Sequence, residues 1–128
     1  MKTNRIIVSV FTIFITIFSA GEGLPENKLE EAKKIELLLA GIGTMEQVVF
    51  IRNGKEYSPK KAADHLRLKW EKAGRRVETA EDFIELCGSG SSISGKLYKM
   101  RFPDGRIENS AAILKELLKE IERSKDIR

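Results

Sequence analysis

The sequence predicts an α+β domain: about four helices with a small antiparallel sheet made of two hairpins. Three observations lead there. Apolar residues recur at three- and four-residue spacing in separate stretches, the mark of helices with one buried face. Two stretches, a β-branched and aromatic one at 48–57 and one of alternating apolar and basic residues at 97–107, are each broken by a turn sequence. Beyond a leader segment, about 107 residues remain, enough for one core and one domain.

The chain opens in three zones. Lys2 and Arg5 are cationic, Ile6 to Phe18 is an apolar run relieved by Ser9, Thr12 and Thr16, and Ser19-Ala20-Gly21 supplies small residues before Glu22. That is the layout of a secretory signal peptide, with cleavage expected after Gly21 and cuts after Ala20 or Gly23 as the alternatives. A spanning helix needs about 20 apolar residues, so this shorter run does not read as a stable anchor. The expected organisation is a signal peptide at 1–21 and a single domain at 22–128, periplasmic or secreted. Cleavage removes two cations and no acid, so the formal charge of +4 falls to +2. The remaining Lys and Arg alternate with Glu along helical stretches, a solvated pattern and not the basic stripe of a nucleic-acid binder.

In the mature chain, Pro25 suits the first position of a helix. Leu29, Ala32, Ile35, Leu38, Leu39 and Ile42 form its apolar stripe, and Gly41 and Gly43 mark its end. Val48 to Ile51 then reads as a strand leading into Asn53-Gly54. Both residues tolerate positive φ, so this is a strong hairpin signal, with Glu56-Tyr57 as the return. Ser58-Pro59 caps a second helix carrying Ala62, Ala63, Leu66, Trp70 and Ala73 up to Gly74. Thr79 with Asp82 approximates a capping box for a third, whose apolar positions are Phe83, Ile84, Leu86 and Cys87. Gly88 to Gly95 is a loop rich in Gly and Ser. Leu97 to Phe102 is a strand with Tyr98, Met100 and Phe102 on its apolar face, Pro103-Asp104-Gly105 turns it, and Arg106-Ile107 begins the return. Asn109 or Ser110 caps a last helix with Leu114, Leu117, Leu118 and Ile121 inward, and a charged tail follows from Ser124. Whether the two hairpins pair with each other does not follow from these local signals.

Few residues suggest chemistry. His65 is the single histidine and Cys87 the single cysteine. One of each falls short of a zinc set, so no metal and no cofactor are expected. His65 acting as base for Ser91, Ser92 or Ser94 would make a hydrolase, but no nucleophile-elbow motif surrounds those serines, and a lone helical His is more often a surface or packing residue. Cys87 ends a helix, where the dipole disfavours a thiolate, and reads as a small buried apolar group. The 88–95 loop lacks the Gly-Lys-Ser/Thr ending of a phosphate-binding loop. It remains either a plain connector or a binding surface.

Phe50-Ile51-Arg52-Asn53-Gly54, Tyr57, Ala62-Ala63 with His65-Leu66, Lys69, Thr79-Ala80 with Asp82-Phe83-Ile84, and Ser91-Ser92 through Ser94-Gly95 and Tyr98 form an ordered series. In that series the chain resembles the YfeK-like family of small exported bacterial proteins, a family of unknown function. The resemblance implies a periplasmic home and one self-contained domain, and no activity. Ser94-Gly95-Lys96-Leu97-Tyr98 is also similar to the Ser-Gly-x-x-Tyr loop of periplasmic lysozyme inhibitors, in which Ser and Tyr hydroxyls meet the catalytic carboxylates of lysozyme.

The residues favour an exported accessory or binding protein without catalysis. Its contact would be Ser94, Gly95, Lys96, Tyr98 and Lys99, where two hydroxyls and two cations stand close together. The lysozyme inhibitor and the hydrolase are the alternatives. A protein partner in the periplasm is the class of partner expected, nucleic acid is not, and the oligomeric state does not follow from the sequence.

Overall fold

The longest apolar stripe builds the centre of the molecule. The computed structural model describes residues 26–126; the segment 1–21, its cleavage point and Pro25 lie outside the described residues. Helix α1 (Glu26–Gly43) turns Ile35, Leu38, Leu39 and Ile42 inward, each at most 2% exposed. The buried run begins only at Glu31, so Leu29, expected on the stripe, stands about half exposed beyond the packed part of the helix.

Strands β1 (Val49–Arg52) and β2 (Lys55–Tyr57) form the first hairpin. Its turn has φ of 50° at Asn53 and 78° at Gly54, the left-handed pair that matches strand twist in a two-residue hairpin. Helix α2 (Pro59–Ala73) starts where the Ser58 hydroxyl accepts the Lys61 amide at 3.3 Å, and it ends at Gly74, whose φ is 53°. A single 3₁₀ turn, Gly74–Arg76, leads on to helix α3 (Ala80–Leu86). The Thr79 and Asp82 side chains cap each other's backbone amides in the expected box. Phe83, Ile84 and Cys87 fill the narrow inner face of this short helix. Leu86 falls about 110° from its centre and is exposed, against expectation.

Strands β3 (Lys99–Arg101) and β4 (Ile107–Asn109) form the second hairpin, and helix α4 (Ser110–Asp126) follows, helical past Ser124 to the last described residue. β3 is shorter than the 97–102 run suggests, with Leu97 making an isolated bridge to Gly90 ahead of it. The two hairpins do pair. The sheet order is β2-β1-β3-β4, antiparallel throughout, with Phe50 opposite both Tyr57 and Met100. Strand alternation then sends Phe50 and Met100 to the helix side, where they are buried, and Ile51 and Lys99 to the other.

Helices α2 and α4 reach the strands, and α1 and α3 pack against those helices to complete the core. Phe83, fully buried, meets the edge of Trp70 at 6.1 Å between centroids, joining α3 to α2. Leu114 and Leu118 bring α4 onto the same core. Ser110 does not cap α4 as its type suggests. Its buried hydroxyl donates to the Gly88 carbonyl and its amide to the Tyr98 carbonyl, pinning the helix start to the 88–98 segment.

Candidate functional site

Two places on this scaffold gather polar side chains. The first is an inner cluster around His65. Helix α2 turns Ala62 and Leu66 into the core, which leaves His65 beside them half-buried and Lys69 one turn further on the same face. From β1, the Arg52 guanidinium reaches the imidazole, with Nη1 3.2 Å from Nδ1 and 3.4 Å from Nε2. Tyr98, 7% exposed, is held by its amide to the Ser89 carbonyl and by its carbonyl to the Ser110 amide, so its ring enters from a fixed position. Its hydroxyl lies 3.2 Å from His65 Nε2 and accepts from Lys69 Nζ at 3.1 Å; the same ammonium donates to the Gly90 carbonyl at 2.7 Å.

The charges here have one sign. Burial, then the nearby Arg52, Lys69 and Lys72 cations, push the His65 pKa below its ordinary value, so the ring is neutral at neutral pH. Among the described residues, no carboxylate comes within 4 Å of Arg52 or Lys69. Beside this cluster is a cavity of about 30 Å³ with nearly all-apolar walls. Phe50, Ala62, Leu66 and the Tyr57 ring line it, with Arg52, His65 and Tyr98 at its polar edge.

The second place is the surface where the 88–97 loop meets the β1–β2 turn. The loop is an organised turn. Ser91 Oγ accepts the Ile93 and Ser94 amides, the Gly95 amide donates to the Ser91 carbonyl, and the Ser91 amide donates to the Lys96 carbonyl. Gly95 has φ of 73°, a conformation that costs any other residue strain. Gly90 passes so near the returning chain that a Cβ there would sit 2.8 Å from the Lys96 carbonyl oxygen. Ser94 Oγ donates to Asn53 Oδ1 at 2.6 Å, latching the loop to the hairpin turn. Lys96, Leu97 and Lys99 line a shallow groove with Ile51, Asn53 and Gly54, and Ile93 stands 99% exposed at the tip.

Ser94, Gly95, Lys96 and Lys99 are therefore exposed and close together, as the sequence arrangement suggests. Tyr98 is not among them. Its hydroxyl turns inward to His65 and Lys69, so the Ser and Tyr hydroxyls of the Ser-Gly-x-x-Tyr segment serve different sites. His65 makes its polar contacts to Arg52 and Tyr98, and none to Ser91, Ser92 or Ser94. Cys87 is buried, and burial pushes its thiol pKa up despite Lys69 and Arg76 nearby. Among the described residues, no group of three His, Cys, Asp or Glu side chains stands close enough to hold a metal ion. The sequence reading missed Arg52 and Lys69 as site residues. The available signal was the four-residue spacing of His65 and Lys69 on one helical face.

Comparison with known proteins agrees with the family resemblance read from the sequence. A family model described as "Family of unknown function (DUF5329)" matches residues 29–122. The "Uncharacterized protein YfeK" of Salmonella typhimurium is 34% identical over 95 residues, covering 74% of this chain and 76% of that protein. No solved structure matches. The chain is thus a YfeK-like protein and belongs to the DUF5329 family of unknown function.

Proposed function

We propose that this is an exported, non-catalytic accessory protein that recognises a protein partner through the latched loop surface. The observation that carries the reading is the Ser94–Asn53 hydrogen bond, which joins two turns from different parts of the chain into one presented surface. On it, Lys96 and Lys99 have no carboxylate within 4 Å among the described residues, and Ile93 offers an apolar tip. Exposed cations around an exposed apolar residue suit an acidic partner: the charges speed encounter and the apolar contact holds it. Export is supported by the three-zone layout of residues 1–21. Among the described residues, no helix is long and apolar enough to cross a membrane.

Catalysis finds less support. Among the described residues, a neutral His65 between cations touches a tyrosine hydroxyl and no serine, and has neither a serine or cysteine to activate nor a carboxylate to stabilise the imidazolium. The lysozyme-inhibitor form of the binding reading keeps Ser94 as its outward hydroxyl and loses that of Tyr98.

A photo-crosslinking residue at position 96 tests the reading, with exposed position 85 as control. The expected result is a discrete adduct from position 96, absent from 85 and weakened by salt. No adduct at 96, or equal adducts at both, would overturn it. N-terminal sequencing of the exported form should begin at Glu22, within about two residues; an intact Met1 on a membrane-bound product would refute export by cleavage.

A further inference from the structure

The inner cluster has more hydrogen-bond donors than acceptors, whichever tautomer His65 adopts. Arg52 and Lys69 only donate. Neutral His65 carries one N–H and Tyr98 one O–H, and the single contact between them uses one of these two protons. If His65 Nε2 accepts from Tyr98, the Nδ1–H is left facing Arg52, another donor. If Nε2–H donates to Tyr98, the tyrosine proton is left beside Lys69, also a donor. Either way the described residues here supply one acceptor too few, next to two cations that have no carboxylate within 4 Å among those residues. The complement is an anion.

The cavity says what the anion carries. A water takes about 10–15 Å³ of such space, so 30 Å³ holds about two or three non-hydrogen atoms. Its apolar walls suit carbon, and the donors stand only at its edge. A planar carboxylate can take two parallel N–H bonds from the Arg52 fork, whereas a phosphate dianion would meet apolar walls on its remaining sides.

We propose that this cavity binds a small aliphatic carboxylate, its short carbon body against Phe50, Ala62 and Leu66 and its carboxylate on Arg52 and the His65–Tyr98 pair. The ligand is either a free short-chain acid or the C-terminal residue of a chain ending in a small side chain such as alanine. Lys69 acts through Tyr98, holding the hydroxyl in place and adding positive potential. The site lies on the helix side of β1, away from Lys99 and the loop surface, so it stands or falls separately from the proposed partner contact.

His65, as the single histidine, is the reporter. Its Cε1 proton is followed by NMR against pH, in the purified protein, with propionate or with sodium chloride of equal ionic strength. The groups facing the ring are Arg52, Lys69, Lys72 and Tyr98, all cationic or neutral, so a bound carboxylate offsets their repulsion and raises the His65 pKa. Propionate should saturate in the low millimolar range, bind more tightly than hexanoate, and raise that pKa where chloride does not. Arg52→Gln should weaken binding at least about tenfold, the scale of a lost charge-assisted hydrogen bond. Ala62→Val, which narrows the cavity and keeps every charge, should weaken it as well. Should either variant fail to fold, the chain-length order on the unaltered protein decides. Gly-Gly-Ala binding more tightly than propionate, with its amide inactive, would identify a chain terminus as the source; propionate alone would identify a free acid. A non-saturating response, an equal chloride effect, or folded Arg52→Gln and Ala62→Val proteins that bind as before would overturn the proposal.

Discussion

Glu31 is the one carboxylate buried in the described structure, and removing it should cost more than its place in a Glu- and Lys-rich helix suggests. It is 8% exposed on the inner side of α1. One carboxylate oxygen accepts the Ala80 amide at 3.0 Å, the first residue of α3, and the other meets Lys34 Nζ at 2.8 Å. Lys34 in turn reaches Glu122 of α4 at 3.1 Å, so three helices meet at one ion pair. Burial alone would raise the Glu31 pKa; Lys34 and the Ala80 amide outweigh it and hold the carboxyl below its ordinary value. Glu31→Ala leaves the Ala80 amide without its partner and the Lys34 ammonium with Glu122 alone. A hydrogen bond to a charged group is worth about 1.5–3 kcal/mol, and the shallow site keeps the loss below the about 3–5 kcal/mol of a deeply buried broken pair. The expected cost is about 2–3 kcal/mol, and about 1–2 kcal/mol for Glu31→Gln, which keeps an acceptor for the amide and loses the charge. At about 4–8 °C per kcal/mol for a domain of this size, Glu31→Ala should lower Tm by roughly 10–20 °C. Urea unfolding measures the cost as a shifted midpoint with an unchanged slope. The native state binds fewer protons than the unfolded chain around the Glu31 pKa, so this stabilisation is present above pH 4.5 and lost as pH falls below it. A Glu31→Ala protein within about 0.5 kcal/mol of the original, the range of an ordinary surface substitution, would refute the reasoning.

Three other expectations rest on separate features. His65 has a lowered pKa, so the unfolded chain takes up a proton that the fold resists: stability should decline as pH falls below about 6.5, and His65→Gln should flatten that slope in urea titrations at several pH values. Cys87, buried with its thiol pKa raised, should react with a thiol reagent only as fast as the protein opens, so stoichiometric labelling within seconds would contradict its placement. Gly90→Ala should cost about 1–3 kcal/mol, because its Cβ meets the Lys96 carbonyl and backbone cannot move aside as a side chain can; thermal unfolding unchanged from the original would show that the loop does not close as described.

The local signals were the legible part of the fold. Asn53-Gly54, Ser58-Pro59 and Thr79 with Asp82 each act within a few residues, and each forms the turn or cap its chemistry calls for. What could not be read joins residues distant in the chain. The pairing of β1 with β3 sets Phe50 opposite Met100, and no local pattern specifies that partner. Ser110 has a good capping side chain, yet the packing of α4 brings the Gly88 carbonyl within its reach, and a buried carbonyl needs a donor more than a helix start near water does. Glu31 was illegible because a buried and a solvated glutamate look alike in a mixed-charge helix until Ala80 arrives from elsewhere.

The candidate site divides along the same line, and Tyr98 shows how. Strand alternation placed it with Met100 and Phe102 on the apolar face, while its position after Ser94-Gly95 suggested an outward contact. Both cannot hold for one side chain, because alternation is a rule about the backbone and leaves an inward residue no route back to the surface. The inward side prevails, with the Tyr98 backbone bonded to Ser89 and to Ser110. That inward turn costs the loop one hydroxyl and puts it where Lys69, His65 and Arg52 converge, so the loss at the surface and the donor-rich cluster inside are two consequences of one strand register. A residue chosen for a surface role thus supports the opposite side of the sheet, and the two places differ in kind: latched cations and an apolar tip outside, and a neutral histidine held among donors inside.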